Sequence, residues 1–527
     1  MSLSIKSNNA ERYGVLGGAI SLSIATIIVK LLGVLYKIPL ANVLGDEGMG
    51  YFNSAYTVYA FFYLLCTAGV PKAIMILISE KFGDEREAHA QKVLQIAGRA
   101  FLLLGILVCL LFIVFSTPLS KFIGNSESRA TMIAVAPSII FVSLSGVLRG
   151  YLSSGMRMTV IAFSQIVEGA GKLVFGLIFA HMALAFGLPL PIISAMTILG
   201  VTLGSAFGFI FLYINSKNNI SNDNSEQNIK TGYQKTLLRI FKISIPITAS
   251  AALMSLSGII DLTLIMRRLQ EIGYTASEAS ALYGNYTTLA VSIFNLIISV
   301  ITPISVSFMP ILTGAASSNN RKLFSDSLKS ALEFSMVLSA PLMIGAVVYS
   351  KEILSLLFGN SGIDNGAPLL SILSGGVIFM AALLVINSAL ESLGHGKAAL
   401  FAMIVGSTVK IFVSNLLLGN ENYGISGAPL GTVLSYGVSL IVSVLLLIKI
   451  TGEGIPLIST IYLPLLIGTV SVLSSRYFYD MVLVDFGTAS LPLAMAVCAM
   501  IYVVFLVLLG AVTPGKIKMM AKYTNFG

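Results

Sequence analysis

Long apolar runs separated by short polar breaks make up most of the 527-residue chain. A helix needs about 20 predominantly apolar residues to cross the hydrocarbon core of a bilayer. Runs of that kind fall near 13–37, 49–72, 93–116, 130–151, 159–183 and 190–214, and then, after a polar break, near 243–266, 283–311, 331–350, 367–390, 398–418, 426–449, 456–477 and 489–512. The pattern predicts an all-α polytopic membrane protein of about fourteen transmembrane helices, with no sizeable soluble domain. Gly and Pro interrupt many of the runs, which membrane helices tolerate where neighbours or a polar cavity satisfy the freed backbone groups.

The polar break from Asn215 to Thr236 is rich in Asn and Ser and lacks an apolar period, so it reads as a flexible linker. It separates two hydrophobic halves with a weak internal repeat. Tyr51, Asn53 and Pro71 of the second run recur as Tyr283, Asn285 and Pro303 of the eighth at one constant offset. Ser153-Ser154-Gly155 corresponds to Ser392-Leu393-Gly394, and Lys172 falls within one residue of the equivalent of Lys410. Six spans per copy give both copies the same orientation, as in parallel repeats related by an axis along the membrane normal. The expected organisation is a first lobe at 1–214, a cytoplasmic linker at 215–242, a pseudo-symmetric second lobe at 243–450, and two further helices with a cytoplasmic tail at 451–527.

Composition agrees with the pattern. The chain is 56% hydrophobic and 10% charged, with a mean hydropathy of +0.91. A soluble domain has about 25% charged residues, so there are too few ionic groups here to build a water-facing surface of this size. The net charge of +9 reflects loop cations rather than a nucleic-acid surface. With the N-terminus inside, about twenty Lys and Arg fall on the cytoplasmic side against about seven outside, which predicts an N-in, C-in protein of the bacterial cytoplasmic (inner) membrane. The first apolar run is too long for a cleaved signal peptide and reads as the first span. Cys66, Cys109 and Cys498 lie apart within apolar runs, and His89, His181 and His395 are isolated, so neither a disulfide framework nor a metal site is expected. With no Trp, the aromatic belt falls to the 20 Tyr, helped by Phe.

No Walker-type, HExxH or GxSxG motif is present, so no enzyme chemistry and no cofactor are expected. The informative residues are charges inside apolar runs, each costing roughly 2.5–3.5 kcal/mol at mid-bilayer on insertion scales. The first run carries Lys30, with Lys37 two helical turns further along the same face. The fifth carries Glu168 and Lys172 at i,i+4, and the seventh carries Asp261. The eleventh carries Lys410, and Arg149 stands near the end of the fourth. Lys30 and Asp261 occupy nearly equivalent repeat positions and are expected to face each other across a cavity. Glu168 and Lys172 read either as a mutually neutralising pair or as a coupling site, and Arg149 as a snorkelling or coupling charge. Asn53 and Asn285 read as cavity groups or interhelical hydrogen-bond formers. A cavity with several cations and few anions suits an anionic substrate such as a pyrophosphate headgroup.

The stretch KLLGVLYKIPLANVLGDEGMGY from Lys30 to Tyr51 resembles the first-to-second-helix signature of polysaccharide-biosynthesis flippases, in the branch that holds stage V sporulation protein B and the lipid II flippases. Leu148-Arg149-Gly150-Tyr151, with Gln165, Glu168 and Lys172, resembles that branch's fourth and fifth helices. The resemblance covers essentially the whole chain. It implies the multidrug/oligosaccharidyl-lipid/polysaccharide exporter fold, two lobes alternating access, and a groove for a polyprenyl tail formed by the last two helices. It places headgroup contacts on Lys30 and Lys37, with Lys172, Asp261 and Lys410 as further candidates. Peptidoglycan-precursor flippases often carry arginines on the first, second and eighth helices, whereas the second and eighth runs here have no mid-span charge.

The expected function is translocation of an undecaprenyl-pyrophosphate-linked saccharide by a monomer, driven by H+, Na+ or the membrane potential, with membrane lipids as its surroundings. The alternative is an ion-coupled multidrug or metabolite antiporter of the same fold, in which Asp261 and Glu168 would hold the ion. A non-transporting scaffold for cell-wall assembly is a third class.

Overall fold

The computed structural model describes residues 2–80, 85–217, 230–359, 362–454, 457–483 and 489–509, which are helical and contain no strand. Within the described residues each apolar run identified above falls on a helix or, at 130–151 and 367–390, on a bent pair of helices. The centre of the expected linker, 218–229, and the tail beyond 509 lie outside the described residues. Helix nevertheless reaches into the polar break from both sides, since α7 (Leu190–Lys217) runs on to Lys217 and α8 (Lys230–Glu271) begins at Lys230. The lack of an apolar period does not stop a helix that is already nucleated, because each further residue adds a hydrogen bond at little cost.

Two compact units divide the chain, the first formed by Met1–Gln270 with Tyr274–Gly284, the second by Glu271–Gly273 with Asn285–Gly527. The first opens with α1 (Ser2–Thr67), which is two helices in one run. Gly45, at φ 62° and ψ −176°, breaks it into arms at 2–44 and 46–67. That conformation lies in the left-handed region that glycine enters without steric penalty. After α1 come α2 (Val70–Ser79), α3 (Glu85–Ile123), α4 (Arg129–Val135), α5 (Ser138–Ser154) and α6 (Met158–Ala185). The core of this unit is a seam where Val70, Ile74, Leu77 and Ile78 of α2 meet Val93, Ala97 and Phe101 of α3. Near the end of α3 the buried Asn125 donates to Ser54 Oγ (3.0 Å) and Ser280 Oγ (3.2 Å), satisfying both amide hydrogens.

The second unit holds α10 (Val291–Ser317), α11 (Arg321–Val348), α12 (Ser350–Phe358), α13 (Ile363–Ser374), α14 (Val377–Ser392), α15 (Gly396–Leu418), α16 (Gly427–Thr451), α17 (Leu457–Phe478) and α18 (Ser490–Leu508). It is entered from α9 (Ala276–Asn285) through a π-helical turn at Tyr286–Ala290. The order of elements recurs between the units. A bent pair, 43° at α4–α5 and 41° at α13–α14, precedes a closely packed straight pair, α6–α7 and α15–α16. Among the described residues ten helices are long and apolar enough to cross a membrane, or up to twelve if each bent pair is one span. One of the ten, Ala25–Ser79, contains the break at Gly45. Leu103 and Val114 of α3 are 66% and 69% exposed, as befits side chains whose solvent is lipid.

The last two helices pack on α11 and α12. Tyr502 donates to the Val337 carbonyl at 2.8 Å. The fully buried Ser475 donates to the Ala494 carbonyl at 2.6 Å and shares a 3.0 Å hydrogen bond with the Tyr349 hydroxyl. Removing it leaves the buried Tyr349 hydroxyl without this partner, while the Ala494 carbonyl keeps its place in the helix. Ser475→Ala is therefore expected to cost about 1–3 kcal/mol, read as a lower thermal midpoint of the detergent-solubilised protein.

Candidate functional site

The first unit encloses a cavity of about 400 Å³ whose lining comes from three helical faces. Thr26, Lys30, Gly33 and Lys37 recur at three- and four-residue intervals along the first arm of α1, with Tyr36 beside them. Phe52, Tyr56, Tyr59 and Tyr63 repeat the same spacing on the second arm, and Gln165, Glu168, Gly169 and Lys172 do so on α6. Arg149 of α5 and Val201 of α7 close the wall.

What holds the α6 face in place is its partner. Gly200 and Gly204 of α7 let the two helix backbones touch. A Cβ at Gly204 would sit 2.6 Å from the Glu168 carbonyl oxygen and 2.6 Å from the Lys172 amide nitrogen, and one at Gly200 would sit 2.3 Å from the Gly176 nitrogen. Small residues at i,i+4 are a common basis for close helix association in lipid, where there is little hydrophobic driving force between helices.

Among the described residues the cavity carries four cations, Lys30, Lys37, Arg149 and Lys172, and one carboxylate, Glu168. Glu168 is buried and both of its oxygens are engaged. Oε1 lies 2.7 Å from Lys172 Nζ and Oε2 lies 2.8 Å from Arg149 Nη2. A carboxylate taken out of water is tolerated only with such pairing. Its negative charge is shared by two of the cations, so the described lining keeps an excess of positive charge. Along α1 the aromatic rings of the lining run in sequence. Tyr36 meets Phe52 edge-on at 6.0 Å, Phe52 stacks on Tyr56 at 6.1 Å, and Tyr59 lies 5.7 Å from Tyr56 and 5.9 Å from Tyr63. Such rings offer flat apolar faces with hydroxyl tips. Chemically the arrangement pairs a multidentate anion site with a surface for a ring-bearing polyol.

Of the residues singled out in the sequence, the cavity brings together Lys30, Lys37, Arg149, Glu168 and Lys172. The i,i+4 pairing of Glu168 with Lys172 is present, and Arg149, read from sequence as a charge near a helix end, is its third member. Asn53 is buried on the second arm of α1 and does not line the cavity. Asp261, on α8 of the first unit, is not among the residues of its wall either. Lys410 belongs to α15 in the second unit. The tyrosines are the part of the lining that composition hides: the 20 Tyr read as an interfacial belt, whereas Tyr36, Tyr56, Tyr59 and Tyr63 line the cavity. The signal was their helical spacing from Phe52, on the same arm that carries the repeat-related Asn53.

The family model described as Polysaccharide biosynthesis protein matches residues 15–316, and the one described as MatE matches residues 285–416. The chain is 22% identical over 425 residues to stage V sporulation protein B of Bacillus subtilis (strain 168), covering 79% of this chain and 80% of the relative. It is 22% identical over 456 residues to lipid II flippase MurJ of the same organism, covering 83% of each. Among solved structures, lipid II flippase MurJ in an inward closed conformation matches with a TM-score of 0.67 at 17% identity, over 92% of this chain and 98% of that one. An inward-facing multidrug resistance MATE family transporter of the MOP superfamily also matches with a TM-score of 0.67, at 14% identity, over 82% and 98%. At such identities the structures speak to the fold alone, which is that of a polytopic helical membrane protein.

Proposed function

The chain belongs to the polysaccharide biosynthesis protein family, and from that premise we propose that it is a flippase for an undecaprenyl-pyrophosphate-linked saccharide, lipid II or a related precursor. It is a multi-pass protein of the bacterial cytoplasmic membrane. The observation that carries the proposal is the cationic, tyrosine-walled cavity of the first unit. In this reading the headgroup enters from the cytoplasmic leaflet while the polyprenyl tail stays in lipid. The pyrophosphate engages Lys30 and Lys37 on one side and Lys172 and Arg149 on the other, and the saccharide lies against Tyr56, Tyr59 and Tyr63. Asn53, Asp261 and Lys410 are given no headgroup contact. Alternating access then carries the headgroup outward with no covalent bond made or broken. An inside-negative potential favours that direction by about 2.3 kcal/mol per negative charge per 100 mV.

The MATE likeness supports a second reading, an ion-coupled antiporter for organic cations. The cavity charge weighs against it, since the one carboxylate there already has both oxygens taken by cations. Reconstitution separates the two. The flippase reading expects an undecaprenyl-pyrophosphate-linked saccharide to reach the outer leaflet of proteoliposomes, faster under an inside-negative potential. Proteoliposomes that leave this lipid in place, yet extrude a cationic dye against a Na+ or H+ gradient, would decide for the antiporter.

A further inference from the structure

Glu168 is the one acidic residue on the cavity wall among the described residues, and it occupies the two cations best placed on α5 and α6 to hold a phosphate. A purely structural role would be to fasten α6 in position. The second unit makes that role unnecessary. There α15 and α16 pack through small residues in the same way, with Gly406 against Ser435 and Ser439 and Gly431 against Ser414. Lys410 stands within one residue of where the repeat puts Lys172, and one helical turn before it, at the spacing of Glu168 from Lys172, is Gly406, with Ser407 beside it. A helix pair of this design therefore forms without a carboxylate.

The cations held by Glu168 also have capacity left. Lys172 Nζ carries three donors, of which Glu168 takes one. The buried Nε of Arg149 has no hydrogen-bond partner among the described residues. Arg149 and Lys172 both face the cavity, so a second anion can reach them without first dismantling the fold.

We propose that Glu168 is a built-in counter-anion that the substrate's phosphate displaces. With the cavity empty, its carboxylate holds Lys172 and Arg149 together and offsets their charge. An entering pyrophosphate carries more charge and more acceptor oxygens than one carboxylate, so it takes over Lys172, Arg149 or both, and Glu168 withdraws. On release Glu168 returns to its partners. It thereby weakens binding and speeds departure, and it excludes singly charged anions that cannot outcompete it. The inference rests on the flippase reading for the identity of the ligand, but its own test uses a simpler probe.

That test is titration of the full-length protein in detergent with inorganic pyrophosphate, alongside lipid translocation in proteoliposomes. Glu168→Gln keeps the shape and removes the charge, and is expected to bind pyrophosphate about tenfold more tightly while translocating more slowly. Glu168→Asp, too short to bridge both cations, is expected to fall between wild type and Gln. It carries the test should two uncompensated cations keep the Gln variant from folding. Glu168→Gln combined with Lys172→Gln restores the charge balance and is expected to bind no more tightly than wild type. A folded Gln or Asp variant with unchanged or weaker pyrophosphate affinity overturns the proposal, as does a double variant that binds as tightly as Glu168→Gln alone. Should the wild type move no lipid-linked saccharide while Glu168→Gln still gains pyrophosphate affinity, the flippase reading falls and the displacement mechanism stands.

Discussion

Leucine at position 204 is expected to leave little folded protein. Even the Cβ of such a residue would lie 2.6 Å from backbone atoms of both Glu168 and Lys172 and 2.7 Å from Lys172 Cγ. Over-packing usually costs about 1–3 kcal/mol because neighbouring side chains can shift. Here the obstacles include main chain, so α6 and α7 must separate along their length, and a loss above about 4–5 kcal/mol is expected. The same substitution at Gly437 on α16, where an added Cβ meets nothing within 4 Å, is the control. Expression and the thermal midpoint in detergent, followed by size-exclusion chromatography, read the difference. A Gly204→Leu protein as stable as Gly437→Leu would mean that α6 is not held by this contact, and the cavity geometry built on it would have to be abandoned.

That contact also shows what was legible in the chain and what was not. Apolar runs located the helices because membrane burial acts on each run independently of its neighbours, and length alone decides whether a run spans. The i,i+4 pair of Glu168 and Lys172 was legible for the same reason, since both residues sit on one helix. Arg149 lies 19 residues earlier on a different helix, and only packing brings its guanidinium to the other carboxylate oxygen. Asp261, nearly equivalent to Lys30 in the repeat, is absent from the lining of this cavity, and equivalence in a repeat does not fix which way a helix face turns. Gly45 lies in the break between the first two apolar runs, and its left-handed backbone joins two helices there. The tyrosine wall was written in the spacing of Tyr56, Tyr59 and Tyr63. A count of aromatic residues hid it, since the same residue type serves both a lipid interface and a polar cavity.

Replacing both Lys30 and Lys37 with alanine is expected to lower the initial rate of headgroup translocation about 100-fold or more. Hydrogen bonds to charged groups contribute about 1.5–3 kcal/mol each, and losing two of them from one pyrophosphate corresponds to at least two decades. Both lysines line the cavity from the same arm of α1, whereas the ion pairs of Glu168 go to Arg149 and Lys172. The double variant should thus leave that cluster intact and keep a thermal midpoint close to wild type. Each single alanine variant should fall between it and the native protein. Arginine at both positions preserves the charge but replaces a mobile ammonium with a planar fork, so it should recover much of the rate without matching it. A double alanine variant that translocates at the native rate would remove the anion site from α1. A double arginine variant as slow as the double alanine would point to lysine geometry rather than charge, because the potential of the cavity would be unchanged between native protein and variant.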